Sequence, residues 1–350
     1  MKRSEHLRAD HRLGTPLPRR VLVLRALQLG DLLCAVPAFR ALRAALPRAE
    51  IVLVGLPWAR ALVERYPDYL DDFREFPGWP GLPECRPQLE RVPAFLAALQ
   101  AERFDLAIQL HGSGSVTNPL AVLCGARSVA GFFRPGEYCP DPELFLPYPA
   151  RGREARRLLA LLDFLGIEPD GDDLEFPLRR QDHDRLRATA GGQFGWGTYV
   201  CVHPGASAPG RRWPASGFAE VARALAGRGL GVVLTGTAAE AGLAKEVARR
   251  AAVACLDLSG RTDLGALGAL LGGARLLVCN DTGVSHLAAA LRVPSVVIST
   301  GDNPERWAPA DGRRHRVLCD PAGVSAADVV AEADALLGER AEDRRGREGA

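Results

Sequence analysis

Short β-branched runs alternate with longer amphipathic stretches twice along this chain, and that rhythm is the one a parallel sheet with crossover helices requires. In the first stretch Val21–Leu24, Ile51–Val54 and Leu106–Leu110 read as strands, with helices over Asp31–Ala45, Ala59–Tyr66, Pro93–Gln100 and Ala155–Leu165. In the second, strands fall at Tyr199–Val202, Val232–Leu234, Leu276–Cys279 and Val296–Ser299, and helices at Phe218–Ala226, Ala238–Arg250, Leu264–Leu271 and Val284–Ala290. Pro and Gly crowd residues 131–152 and polar residues fill 168–173, so the linker between the halves is expected near 172–195. Each half is then an α/β doubly wound sheet, and the loops that follow its strands are where a ligand is expected.

The 350 residues suit two domains of this size. Expected are a disordered tail over 1–19, Rossmann-like domains over 20–180 and 181–322, a closing helix over 323–338 and a second disordered tail over 339–350. The closing helix, Val324–Leu337, is expected to pack back on the first domain. The 44 basic and 42 acidic side chains leave a net charge of +2, too small to hold a nucleic-acid backbone, so no nucleic-acid partner is expected. The eight cysteines form no CxxC pair and several sit in apolar runs, as small hydrophobes do in a reduced compartment. Met1–Arg20 has no apolar segment of signal type, and no window approaches the ~18 uncharged apolar residues of a membrane span. A cytoplasmic protein is expected.

Three loops could carry chemistry. After the first strand, Gly30 frees the backbone and Asp31 opens a helix; Asp31 is either an N-cap or a general base that takes a proton from an acceptor hydroxyl. After Tyr199–Val202 comes His203-Pro204-Gly205-Ala206-Ser207, then Arg211-Arg212-Trp213-Pro214: small residues that let a ligand reach the backbone, and two guanidiniums able to clamp a phosphate. After Leu276–Cys279, Asn280-Asp281-Thr282-Gly283 turns directly into a helix, so the N–H groups of Thr282, Gly283 and Val284 should converge on an anion. Asp281 could instead cap that helix, and His286 could be a satisfied buried histidine.

Other patterns are weaker. His111-Gly-Ser-Gly-Ser is a truncated GxGxxG with Thr117 in place of its last Gly, and the first strand lacks that motif altogether, which speaks against a dehydrogenase; His111 could line the acceptor side. Asp170-Gly-Asp172 is formally a DxD but reads as solvated loop. Asp281-Thr-Gly resembles an aspartic-protease turn, yet its second copy is missing and the alternation is wrong for an all-β fold. No zinc template or Walker A motif is present.

Taken in order, these motifs resemble glycosyltransferase family 9, the ADP-heptose:lipopolysaccharide heptosyltransferase family, over roughly residues 20–335. The resemblance rests on Leu29-Gly30-Asp31 through Pro37, on His203–Ser207 with Arg211–Pro214, on Leu258–Leu264, and most closely on Asn280–His286 with the alanines that follow. It implies a GT-B fold, two Rossmann-like domains facing across a cleft, the first on the acceptor side and the second holding a nucleotide-sugar. It further implies inverting, metal-independent transfer of a sugar, heptose by family default, from an ADP-sugar or other nucleotide-sugar to a hydroxyl of a glycan or lipopolysaccharide-type acceptor. Asp31 would be the base and Arg211 would stabilise the leaving diphosphate. Gly30, Gly205, Ala206, Ser207, Glu240, Thr262, Asp281, Thr282, Gly283 and His286 would contact the donor. No cofactor or metal would be needed, the chain would be a monomer, and membrane contact would be transient, through aromatics such as Trp79 or Phe132–Phe133. Two other readings stay open: a GT-B nucleotide-sugar epimerase, which would turn over without acceptor, and a non-catalytic nucleotide-sugar-binding module.

Overall fold

The computed structural model describes residues 6–191, 195, 197–301, 303–319 and 323–348. The chain divides into two compact units, Met1–Asp173 and Leu174–Ala350. The sequence reading set that division at 180, within what the structure shows as the helix Arg180–Ala190, which packs on Leu264–Gly273 of the second unit.

The first unit holds strands β1 (Arg20–Leu24), β2 (Glu50–Gly55), β3 (Asp72–Glu75), β4 (Leu106–Gln109), β5 (Ser128–Phe133) and β6 (Phe145–Pro147). They form one parallel sheet in the order β3-β2-β1-β4-β5-β6. In the second unit are β7 (Tyr199–His203), β8 (Gly231–Leu234), β9 (Cys255–Asp257), β10 (Leu277–Asn280), β11 (Ser295–Ile298) and β12 (His315–Leu318). Their order, β12-β11-β10-β7-β8-β9, repeats the same winding, again all parallel. The central strands are buried along almost their whole length, which is why they read as unbroken apolar runs rather than alternating ones.

In this winding the chain leaves opposite sides of the sheet after two adjacent central strands, and a crevice opens at their carboxyl ends. Those strands are β1 and β4 in one unit and β7 and β10 in the other. The residues just past them are Arg25–Asp31 and Leu110–Gly114 in the first unit, and Pro204–Trp213 and Asp281–Val284 in the second.

Several expectations need correction. The helix expected over Asp31–Ala45 is two, Leu29–Leu33 and Val36–Ala45; Pro37, in the second position of the latter, has no N–H to continue the ladder. The leading segment expected to be disordered lies, from His6 onward, against the first unit: Leu7 bridges Ile167, Arg8 and Arg12 donate backbone hydrogen bonds to Gly166 and Leu165, and Leu13 is buried. The last helix, Ala326–Glu348, runs through most of the stretch expected as a charged tail, and it packs on Ala215–Ala226 and β11 of its own unit. Phe132 is fully buried in β5 and is a packing residue, whereas its neighbour Phe133 is half-buried, as is Trp79, which packs one side against the core around Leu22, Val52 and Phe104. Among the described residues, no cysteine forms a disulfide; Cys124, Cys201 and Cys279 are buried, which pushes their pKa values up and leaves them inert. Among the described residues, no helix is long and apolar enough to cross a membrane.

Candidate functional site

The first unit presents Asp31 at the end of β1, and a buried arginine sets its place. Arg25, fully buried, donates from Nε to the Asp31 carbonyl at 2.9 Å and from Nη1 to the Leu110 carbonyl. Its Nη2 donates to Glu154 Oε1 at 3.1 Å and lies 4.0 Å from Asp31 Oδ1. Burying a guanidinium alone would be costly; here one carboxylate and two carbonyls compensate it, and the helix start becomes tied to β4 and to the helix Glu154–Phe164. The Asp31 side chain is itself 23% exposed. It stands in the first turn of Leu29–Leu33, whose N-cap is Gln28, so the capping reading of Asp31 fails. Gly30 is buried in that turn.

His111 lies past β4, also buried. Its Nδ1 accepts the Ala26 N–H at 3.2 Å, which assigns the ring proton to Nε2, and Nε2 faces the Glu84 carboxylate at 3.4 Å. Burial alone would raise the Glu84 pKa, but the facing His111 ring and a hydrogen bond from the backbone hold it below the ordinary range. Among the described residues, Glu84 Oε2 is a buried oxygen without a hydrogen-bond partner. Gln109 and Thr117 fix the turn: Thr117 Oγ1 donates to the His111 carbonyl at 2.9 Å and Gln109 Nε2 to the same oxygen at 2.7 Å. Asp172 of the DxD is no solvated loop residue; it pairs with Arg153 at 3.1 Å and Arg156 at 2.6 Å.

In the second unit the loop after β7 and the turn after β10 are joined. Asn280, fully buried at the end of β10, accepts the Trp213 N–H at 2.9 Å and donates to the carbonyls of Pro204 and Gly205 at 2.8 and 3.2 Å. Gly205 is needed for a second reason: a Cβ there would fall 2.2 Å from Glu240 Oε1. Glu240 is pinned in that position, because its Oε2 accepts from both the N–H and the hydroxyl of Thr237 at 2.8 Å. His203 shares a 3.0 Å hydrogen bond with Thr235; burial lowers its pKa while the Glu240 charge opposes the shift, and the ring is neutral near pH 7.

The segment after β9 closes on the same region. Gly260 donates to the Gly236 carbonyl at 2.9 Å with φ of +71°, and a Cβ on it would meet the Ala238 backbone at 2.7 Å, so only glycine fits. Thr262 follows, half-buried, and Ser207 is exposed at the tip of the loop after β7, next to buried Ala206. After β10 the helix Gly283–Ala290 has Thr282 as its N-cap, so Asp281 does not cap it, and the N–H groups of Thr282, Gly283 and Val284 lie at its start. Burial raises the Asp281 pKa, and the charges of His286 and Arg211 oppose the shift. His286 is buried and meets the Trp307 ring edge-on at 6.0 Å. Arg212 turns inward instead, bonding the Ala206 carbonyl at 2.9 Å.

Sequence reasoning overlooked the roles of Arg25, Glu84, Glu154 and Asn280. Only Arg25 carried a signal, a cation directly after an apolar strand. Among the described residues, no group of three or more His, Cys, Asp and Glu side chains could hold a metal ion.

Two parallel six-stranded sheets of identical winding in one chain are the two-domain GT-B fold of glycosyltransferases. Solved structures share it: the glycosyl transferase family 9 protein from Veillonella parvula, at a TM-score of 0.76 and 20% identity over 92% of this chain and 97% of that one, and ADP-heptose lps heptosyltransferase II of Escherichia coli, at 0.74 and 21% over 92% and 99%. In sequence, lipopolysaccharide heptosyltransferase 2 of Escherichia coli is 26% identical over 312 residues, 85% of this chain and 87% of its own length. Residues 92–326 match glycosyltransferase family 9 (heptosyltransferase). The chain belongs to that family and is a glycosyltransferase.

Proposed function

We propose that this protein transfers heptose from ADP-heptose to a hydroxyl of a lipopolysaccharide-type acceptor, with inversion at the anomeric carbon and without a metal ion. The observation that carries the reading is the joining of four stretches in the second unit. Asn280 ties the Gly205 loop to the Asp281 turn, Glu240 sits against Gly205, and Gly260 bonds Gly236. Small residues, backbone N–H groups and Arg211 together suit a nucleoside diphosphate. The relatives supply the sugar and acceptor, since similar proteins of Escherichia coli and Salmonella typhimurium are named lipopolysaccharide heptosyltransferase 2.

In the reaction the acceptor oxygen attacks the anomeric carbon, the bond from that carbon to the β-phosphate oxygen breaks, and ADP leaves with the bonding pair. Asp31 takes the acceptor proton as the new bond forms, and it is held for that task by Arg25. Arg211 and the first-turn N–H groups of Gly283–Ala290 neutralise the charge that develops on the diphosphate, the task a metal performs in other transferases. Glu240 receives the ribose hydroxyls, and His111 lines the acceptor side.

The test is ADP-heptose with heptose-deficient lipopolysaccharide, read by ADP release and the mass of the product, with the anomeric configuration assigned by NMR. Transfer unaffected by EDTA and giving the inverted anomer is expected. Retention, or a requirement for added magnesium, overturns the mechanism, and isomerised donor formed without acceptor overturns the transferase reading.

A further inference from the structure

We infer that Asn280 is a positioning residue that makes the loop after β7 and the turn after β10 one preformed anion site, so that the nucleoside diphosphate meets Arg211 already in place. The inference rests on the donor-site reading above. It starts from how completely the amide is used. The side chain is fully buried; its oxygen accepts from Trp213 N, and its nitrogen donates to Pro204 O and Gly205 O. Those three partners are the two ends of one loop, Pro204–Trp213, and Arg211 lies two residues from the second end. A loop fixed at both ends on a rigid strand keeps little freedom to lose when a ligand binds.

Each end has a reason to hold. Trp213 is anchored in the core, its ring edge-on to Phe218 at 5.0 Å and its Nε1 donating to the Val324 carbonyl at 2.9 Å. At Gly205 the Glu240 carboxylate fills the space a side chain would need, so only a glycine lets the loop lie against it. Across the middle, Arg212 Nε bonds Ala206 O. The remaining part is the turn, and Asn280 is the last strand residue before it: the amide that fixes the loop adjoins Asp281, whose carboxylate feels the Arg211 charge. No apolar residue could substitute, because one donor and two acceptors would then be buried without partners. Aspartate could accept from Trp213 but would set a carboxylate against two carbonyl oxygens.

The experiment measures ADP affinity by calorimetry, and amide hydrogen exchange over 204–213 in the unliganded protein, for the unaltered chain, Asn280→Ala, Asn280→Asp and Val278→Ala. Val278 is a fully buried core residue of the same strand, and its truncation lowers stability while leaving in place the side chain of Asn280 that bonds both ends of the loop. Expected are at least tenfold weaker ADP binding and faster loop exchange in both Asn280 variants, with both properties retained in Val278→Ala despite its lower melting temperature. Unchanged exchange or unchanged ADP affinity in Asn280→Ala overturns the inference. So does an equal loss of affinity in Val278→Ala, which would make the effect one of general stability. If the unaltered protein fails to bind ADP, the donor-site reading falls and this inference with it, an outcome separate from the others because it appears before any substitution is made.

Discussion

The carboxylate of Glu240 occupies the space that a Cβ on Gly205 would fill, 2.2 Å from its Oε1. Thr237 holds that carboxylate with two hydrogen bonds, so it cannot swing aside without losing them. Gly205→Ala therefore displaces Glu240 rather than straining the loop. The expected result is about tenfold weaker ADP binding by calorimetry, roughly 1.4 kcal/mol, with weaker discrimination between ADP and a deoxyribose analogue.

What the sequence disclosed and what it concealed divide along physical lines. The strands read correctly are the central ones, such as β1, β7 and β10, where burial on both faces writes an unbroken apolar run. The strands overlooked include the outer β3, β6, β9 and β12. These are short; β3 reads Asp-Phe-Arg-Glu with only Phe73 buried, and β6 ends on Pro147. The candidate site follows the same rule. Asp31, Gly205 and Asp281 stand in the segments that follow strands, whose local composition already suggests ligand binding. Asn280, Glu154 and Glu84 act through partners 67, 129 and 27 residues away, and no local pattern announces such contacts.

Asp31 and the diphosphate loops can be separated by experiment. Asp31→Asn keeps size and polarity but removes the base, so the transfer rate should fall by ~10²–10⁴-fold, while ADP affinity stays within about twofold, since the proposed ADP contacts lie in the second unit. Steady-state transfer and calorimetry on the same preparation check both halves. Retained transfer would remove Asp31 from the mechanism.

Arg25 and Glu154 form a buried pair 3.1 Å apart with Arg25 fully enclosed. Truncating one member leaves the other charge without its partner, a loss of about 3–5 kcal/mol. Glu154→Ala should shift the urea midpoint accordingly, and Glu154→Gln, which keeps an acceptor for Nη2, should lose less. Because Arg25 also holds the Asp31 carbonyl, the Gln variant should lower the transfer rate without altering ADP affinity.

His315 makes the stability depend on pH. Burial is the main cause of its lowered pKa, about 4; Asp311 opposes the shift, and Arg314 and His286 add to it. The ring is neutral and shares a 2.8 Å hydrogen bond with Ser295. Above the ordinary histidine value of 6.5 neither the folded nor the unfolded form carries the proton. Below it the unfolded chain takes up a proton that the native ring refuses, so stability is full above 6.5 and is lost as pH falls toward 4. The loss has an upper bound on the order of 3 kcal/mol. Urea melts between pH 7 and 4.5 should show a shallower decline for His315→Asn than for the unaltered protein.

Asp281 titrates in the opposite sense. Burial raises its folded pKa above the unfolded value, only partly offset by His286 and Arg211, so its contribution to stability is present below the ordinary aspartate range and is lost as pH rises through the folded pKa. Above that range the raised pKa is a cost to the fold. Asp281→Asn removes that cost, and the unliganded variant should melt at a higher temperature than the unaltered chain at pH 7, the difference shrinking as the pH is lowered. Arg211 and His286 lose their common counter-charge in the same step, so donor affinity and transfer should each fall by about tenfold or more, even though one negative charge has left an anion site. Thermal melts across pH, paired with ADP-heptose binding, separate the two effects. A variant that melts lower and binds as before would make Asp281 a structural residue, whereas higher melting with weaker binding is the signature of a group kept for its function.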